Sequence, residues 1–322
     1  MRKTALLFGF LLPLVGFVFG FSNPGYKIAL VPGIATNPFY ISMYHGAKKA
    51  ADQLGVELVW QGPNNWDFVE ETRIVETLIA RGDIDAILIA PCDPEALKEP
   101  LRRAREAGIV VITVDTDIND PEARIRLTNI ASDNYLGGYL AGETLAKAIG
   151  GKGKVALMGA MVGVTTNELR YAGFKDAIAN YPGIQIVSTQ YSGEDQAKAA
   201  EQMQTVLLTF PDLAGAFGVD TPTAHGCAIG IRTAGKTGKV VLVGFDAQPL
   251  EIEDVHEGLI TMLVAQAPYA MGYLGVQFAY DYLEGFLSGF PGNFTTGFYV
   301  ITKDNVSASE TQKWIYQTEL PK

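Results

Sequence analysis

Cysteine is nearly absent. Cys92 and Cys227 are the only two in 322 residues, too few for a disulfide framework, and each reads as a small apolar packing residue. Histidine is almost as scarce: His45, His225 and His256 are scattered, each within a predicted helix and none at metal-ligand spacing, so no metal is expected. An excess of positive charge is missing too. With 25 basic against 35 acidic residues the formal net charge is −10, a surface that repels phosphate backbones and excludes nucleic acid as a partner. Catalytic signatures are lacking as well. No Gly-x-Ser-x-Gly elbow occurs, and no Cys and His pairing is suggested. Where a dinucleotide site needs Gly-x-Gly-x-x-Gly, the first predicted strand is followed by Pro32-Gly33-Ile34-Ala35-Thr36. Neither a catalytic residue nor a cofactor is assigned.

What is present begins with an address. Arg2 and Lys3 precede an apolar run from Ala5 to Phe19 and the small residue Gly20, the pattern of a secretory signal peptide over residues 1–20. The run falls short of the roughly 20 apolar residues that a spanning helix needs. Export to a periplasm is the expectation, without a lipid anchor because no cysteine lies near the junction.

After the leader, short runs rich in Val and Ile alternate with amphipathic stretches. Nine strands are predicted: Ile28 to Val31, Val56 to Trp60, Ala86 to Ala90, Val110 to Val114, Lys154 to Met158, Ile184 to Ser188, Ala214 to Val219, Val240 to Phe245 and Ile260 to Ala265. Near-continuous apolar strands imply burial on both faces, and strand then helix, repeated, specifies α/β architecture with doubly wound parallel sheets. Nine strands crowd a single sheet. A division near Ala131 is expected, giving two lobes: 22–131 plus 267–296, and 132–266 plus 297–322. Crossovers near Ala131 to Ser132, Ala265 to Gln266 and Thr295 to Phe298 would join them, since no low-complexity linker intervenes. Asn37 before Pro38, and Asp133, read as helix caps; Gly55, Gly235 and Gly258 read as helix ends. Gly230 to Thr237 matches the phosphate-binding loop pattern formally, but it closes a predicted helix instead of opening one, so that reading is rejected.

One pattern points to a site. Polar residues recur just beyond predicted strand ends: Asn37, Asp115, Asp220, Asp246 and Gln266, with Arg170 early in a following helix. Open α/β sheets bind ligands in that crevice. Two opposed sheets would gather these residues, with Phe39 and Tyr40, around one cleft. Carboxylates accept hydroxyl protons, Arg donates a planar fork, and rings cover the C–H face of a sugar. Strand-end Asp and Asn also occur simply as caps and turn formers.

Ile28-Ala29-Leu30-Val31, Asn37-Pro38-Phe39-Tyr40, Val111-Ile112-Thr113-Val114-Asp115, Ile130-Ala131-Ser132-Asp133-Asn134, Ala234-Gly235-Lys236, Val243-Gly244-Phe245-Asp246 and Ala265-Gln266 together resemble the ribose-binding-protein branch of bacterial periplasmic sugar-binding proteins. The resemblance implies two Rossmann-like lobes with a three-crossover hinge and sugar contacts at Asn37, Phe39, Tyr40, Asp115, Arg170, Asp246 and Gln266. Three positions depart from the family pattern. Thr116 stands where ribose binders have arginine, Asp220 where they have asparagine, and an aromatic expected near Gly193 or Glu194 is missing. Trp60-Gln61-Gly62-Pro63 is similar to the branch holding rhamnose-type and autoinducer-2-type binders, which implies a stacking face from Trp60 or Trp66, with core packing the competing reading for Trp60. Gly33, Asp117 and Glu194 are further candidates. With an extra carboxylate and one arginine fewer, the ligand implied is a donor-rich aldose, polyol or amino sugar.

The function implied is capture by a monomer for an ABC permease and its ATPase. A sensory role feeding a chemoreceptor, for a sugar or an autoinducer-like signal, is the first alternative. A sugar-modifying enzyme with the Asp cluster as acid and base is the second.

Overall fold

In the computed structural model, which describes residues 25–120, 124–287 and 289–321, strands and helices alternate as the apolar pattern predicts. The expected leader lies outside the described residues. The first series is β1 (Lys27–Val31), α1 (Pro38–Leu54), β2 (Glu57–Trp60), α2 (Phe68–Arg81), β3 (Ala86–Ile89), α3 (Lys98–Glu106), β4 (Val110–Val114) and β5 (Asn129–Ser132). The second is α4 (Asn134–Ala148), β6 (Lys152–Gly159), α5 (Thr165–Ala179), β7 (Gly183–Tyr191), α6 (Gln196–Thr209), β8 (Leu213–Gly218), α7 (Thr221–Thr233), β9 (Val241–Phe245), α8 (Pro249–His256) and β10 (Met262–Gln266). The chain closes with α9 (Pro268–Leu283), β11 (Asn293–Thr296), β12 (Phe298–Thr302) and α10 (Ser309–Gln312).

The strands form two six-stranded sheets, ordered β11-β5-β4-β3-β1-β2 and β12-β10-β9-β8-β6-β7. Every pairing is parallel except β10 with β12, which is antiparallel. All residues of β3, β4, β5 and β10 are buried, as expected for parallel strands covered by helices on both faces. The chain changes sheet three times, with one residue at each passage: Asp133 between β5 and α4, Ala267 between β10 and α9, and Gly297 between β11 and β12. After its passage α4 packs on α5 and β9, whereas α9 packs back on α1 and β4.

Local chemistry fixes the helix ends. Asn37 caps α1 by accepting from Phe39 N at 2.9 Å, with Pro38 at the first helical position. Gly55 ends that helix at φ 69°, a left-handed conformation that a Cβ would oppose. Below the cap, Phe39, Tyr40, Met43, Ala47 and Ala50 turn one face inward. Each large apolar side chain so buried contributes roughly 1.5–3 kcal/mol. The Gly230–Thr237 stretch closes α7 and precedes β9, with Lys236 N donating to Ile231 O at 3.0 Å; its amides do not open a helix.

Candidate functional site

The carboxyl ends of the two sheets face each other across a cavity. Asn37, Phe39, Tyr40, Asp115 and Thr116 line it from one side, and Arg170, Asp220, Asp246 and Gln266 from the other, joined by Trp66 and Glu194. Its volume is about 70 Å³. At roughly 10–15 Å³ per enclosed water, that space suits one small molecule and no polymer.

Backbone geometry singles out the same residues. Asp115, Glu194 and Asp246 have φ of 64°, 64° and 83°, and among the described residues no other non-glycine has a positive φ. Such conformations cost of order 1–3 kcal/mol each and persist only where surrounding structure imposes them. Asp115 follows β4 and Asp246 follows β9, the third strand in each sheet order, so the strained turns sit at matching places in the two halves.

Each polar side chain is held from behind. The Tyr40 hydroxyl donates to Asp115 Oδ2 at 2.8 Å, and Gln266 Nε2 donates to Asp246 Oδ1 at 2.7 Å. Asp220 caps α7 by accepting from Thr223 N at 3.0 Å. The cap and cavity readings therefore coexist at Asn37 and Asp220, where one side-chain oxygen serves the helix. Arg170, 3% exposed, donates through Nε to Asn134 Oδ1 at 2.8 Å and through Nη1 to Val219 O at 2.9 Å. Its guanidinium lies 3.8 Å above the Phe245 ring. That pinning leaves Nη2 for the cavity.

The electrostatics are lopsided. Four carboxyl groups face the cavity and one arginine answers them. Burial pushes Asp115 up to about 6, against the pull of Arg170 and the Tyr40 hydrogen bond. Burial and the neighbouring carboxylate of Asp220, to which it is hydrogen-bonded, push Glu194 well above the usual carboxylate range. Burial also raises Asp246 despite Arg170. Gln266 Oε1 is buried without a protein partner. The unfilled hydrogen-bonding capacity is dominated by acceptors, the complement of a ligand rich in donors.

Three candidates fall outside the lining. Trp60 packs edge-on against Tyr44, ring centroids 5.1 Å apart, as part of the core margin. Asp117 is engaged by Arg126, whose Nε lies 2.6 Å from Oδ1, and its backbone N donates to Thr165 Oγ1. Its carboxylate is therefore neutralised beside the cavity and not offered to it. Gly33 acts only by being small: a Cβ there would lie 2.4 Å from the Trp66 ring and 2.9 Å from Tyr40 Oη. Thr116 lines the space, though its hydroxyl is spent on Pro91 O at 2.9 Å.

Ile34, Val164, Thr166, Asn167, Thr221, Pro222 and Gln248 also line the cavity, and sequence reading missed them. Thr166 and Asn167 precede Arg170 by one helical turn on α5, a spacing that places all three on one face. Gln248 Nε2 reaches Asn37 Oδ1 at 3.4 Å, from one half to the other.

Comparisons with known proteins agree with this geometry. Residues 28–286 match the family model described as periplasmic binding protein domain. The ribose import binding protein RbsB of Escherichia coli (strain K12) is 34% identical over 258 residues, 80% of this chain and 85% of that protein. Among solved structures, an ABC transporter solute-binding protein from Agrobacterium vitis bound with alpha-D-tagatopyranose superposes with a TM-score of 0.87. It is 41% identical, over 91% of this chain and 99% of that one. A second from the same organism, with bound D-fucose, gives a TM-score of 0.85 at 32% identity over 90% and 100% of the two chains.

Proposed function

The chain belongs to the periplasmic binding protein family, in its ribose-binding-protein branch, and from that premise we propose that it captures one monosaccharide or close polyol and delivers it to an ABC permease and its ATPase. The observation that carries this reading is the convergence of strand-end side chains from two sheets on one small cavity whose open valences are acceptors. In this reading Asp115, Asp220, Asp246 and Gln266 accept ligand hydroxyls. Arg170 Nη2 donates to a ring or carbonyl oxygen, and Phe39, Tyr40 and Trp66 cover the apolar faces. Glu194 and Asp220 sit side by side, so a ligand that offers two donors to that corner gains most.

Capture needs no chemistry. The two halves hinge at Asp133, Ala267 and Gly297 and close on the ligand, which stabilises the closed form through contacts it makes only there. Export to the periplasm suits that role. The relatives with bound tagatose and fucose support a neutral sugar of similar size, and Thr116 and Asp220 argue against ribose itself.

Titration calorimetry across pentoses, hexoses, deoxy sugars, polyols and amino sugars tests this. At least one is expected to bind with a Kd of about 10 μM or tighter, roughly −7 kcal/mol, and to be recovered chemically unchanged. Absence of heat from every compound, with no rise in Tm, would sink the capture reading, and an altered sugar would turn it into an enzyme.

A further inference from the structure

We propose that Tyr316, beyond the end of the family match at residue 286, is a positioning residue that sets the sugar-facing geometry of Asp246 and Gln266 from behind the cavity. The proposal rests on the capture reading above.

Tyr316 does not line the cavity, yet it touches the residues that do. Its hydroxyl donates to Asp246 Oδ1 at 3.0 Å and accepts from Gln266 N at 3.1 Å. Its own N donates to Ala247 O at 3.1 Å. The ring meets Phe39 edge-on with centroids 5.6 Å apart. One side chain thus braces two acceptors from one half and an aromatic from the other, and it is 3% exposed.

The segment that carries it is fixed at both ends. Trp314 stacks on Tyr299 of β12, centroids 5.4 Å apart. Past Tyr316, Gln317 N donates to Ser42 Oγ at 2.6 Å, and Glu319 O lies 2.8 Å from His45 Nε2, both partners on α1. Residues 314–319 therefore run from one sheet's edge strand to the other half's first helix, alongside the Ala267 passage.

A hydroxyl placed there has a chemical consequence. Asp246 at its strained φ faces Arg170, Asp220, Glu194, Glu251, Asp115, Gln266 and Tyr316. Arg170 and the Gln266 and Tyr316 donors favour its carboxylate; burial and Asp220 oppose it. Removing the Tyr316 donor leaves Asp246 easier to protonate, and a protonated Asp246 is a poorer acceptor for a sugar hydroxyl.

Tyr316→Phe keeps the ring and deletes the hydroxyl. Against a sugar that the unaltered protein binds, the variant is expected to raise Kd about tenfold at pH 7. The pH at which affinity is half lost on acidification should move upward, with Tm lowered by a few degrees because the buried Gln266 N–H loses its acceptor. A Kd within twofold of the parent, or a weakened Kd with an unmoved pH profile, overturns the positioning role and leaves capture standing. If the unaltered protein binds no sugar, both readings fall. Should the variant not fold, hydrogen exchange on the unaltered protein decides. The Gln266 amide, whose acceptor is the Tyr316 hydroxyl, is expected to exchange more slowly at saturating sugar, and an unchanged rate overturns the proposal.

Discussion

Glu71 on α2 is fully buried, accepts from Cys92 N at 2.7 Å through Oε2, and has Oε1 without a partner. Burial pushes its pKa up to about 8. Cys92 in turn positions the cavity wall, since its carbonyl accepts from Trp66 Nε1 at 2.8 Å. A carboxyl whose folded pKa lies above its unfolded value near 4.5 binds its proton more tightly when folded. The stability it lends is complete below the unfolded value and is lost as pH rises through about 8. Glu71→Gln keeps an acceptor for Cys92 N and cannot ionise. The variant is expected to match the parent's Tm near pH 5 and to hold it toward pH 9, where the parent declines; parallel Tm curves over that range would contradict this. Residues of this kind are hidden in sequence. Glu70 and Glu71 read alike as a helix's solvated first turn, and only packing shows which one is buried. Strand ends locate Asp115 and Asp246 in the sequence, and both line the cavity, whereas Asp117, two residues on, lies beside it, paired with Arg126. The left-handed turn at Asp115 decides where the following side chains point, and a sequence does not display φ.

At the scale of elements, apolar runs locate strands buried on both faces. β5, β11 and β12 escaped because they do not look like such runs. β11 and β12 are edge strands with half-exposed residues, and β5 carries Asn129, whose Oδ1 lies 3.0 Å from the Thr113 hydroxyl. Helix pairing was likewise invisible. In one half α1 meets α9 through Gly46 and Gly272, where an added Cβ would lie 1.9 Å from Tyr269 O and Met43 O. In the other, α4 meets α5 through Gly138 and Gly173, with corresponding approaches of 2.2 Å to Arg170 O and 2.0 Å to Tyr135 O. Helices that close allow no methyl without moving apart, and overpacking costs typically ~1–3 kcal/mol. Gly138→Ala pushes on the backbone of Arg170 itself. It is expected to lower Tm by several degrees and to weaken sugar binding severalfold by displacing the guanidinium from Phe245. Unaltered Tm and Kd would show that α4 and α5 separate freely.

At the scale of the molecule, closing the cleft brings the Asp115 carboxyl of one half toward Glu194, Asp220 and Asp246 of the other. Across the cleft Asp115 is attracted by Arg170 more than it is opposed by Asp246, and Asn37 with Gln248 and Asp117 with Thr165 tie the halves beside the cavity. Burial is the first cause that raises Asp115, Glu194 and Asp246, and a carboxylate stripped of water is costly, so the empty closed form is penalised while these groups are ionised. A sugar reverses the balance by donating to them, which makes ligand a condition of closure at neutral pH and not merely a consequence of it. Protonation offers a partial substitute. Burial pushes Asp115 up to about 6 and also raises Glu194 and Asp246, so acidification discharges the cavity without any ligand. Small-angle scattering is therefore expected to give a smaller radius of gyration with saturating sugar at pH 8 than without it. The empty protein at pH 5 should fall between those two values, because its carboxyls carry less charge into the buried cleft but nothing bridges them. Identical profiles for the empty protein at pH 5 and pH 8 would show that carboxylate ionisation does not hold the cleft open.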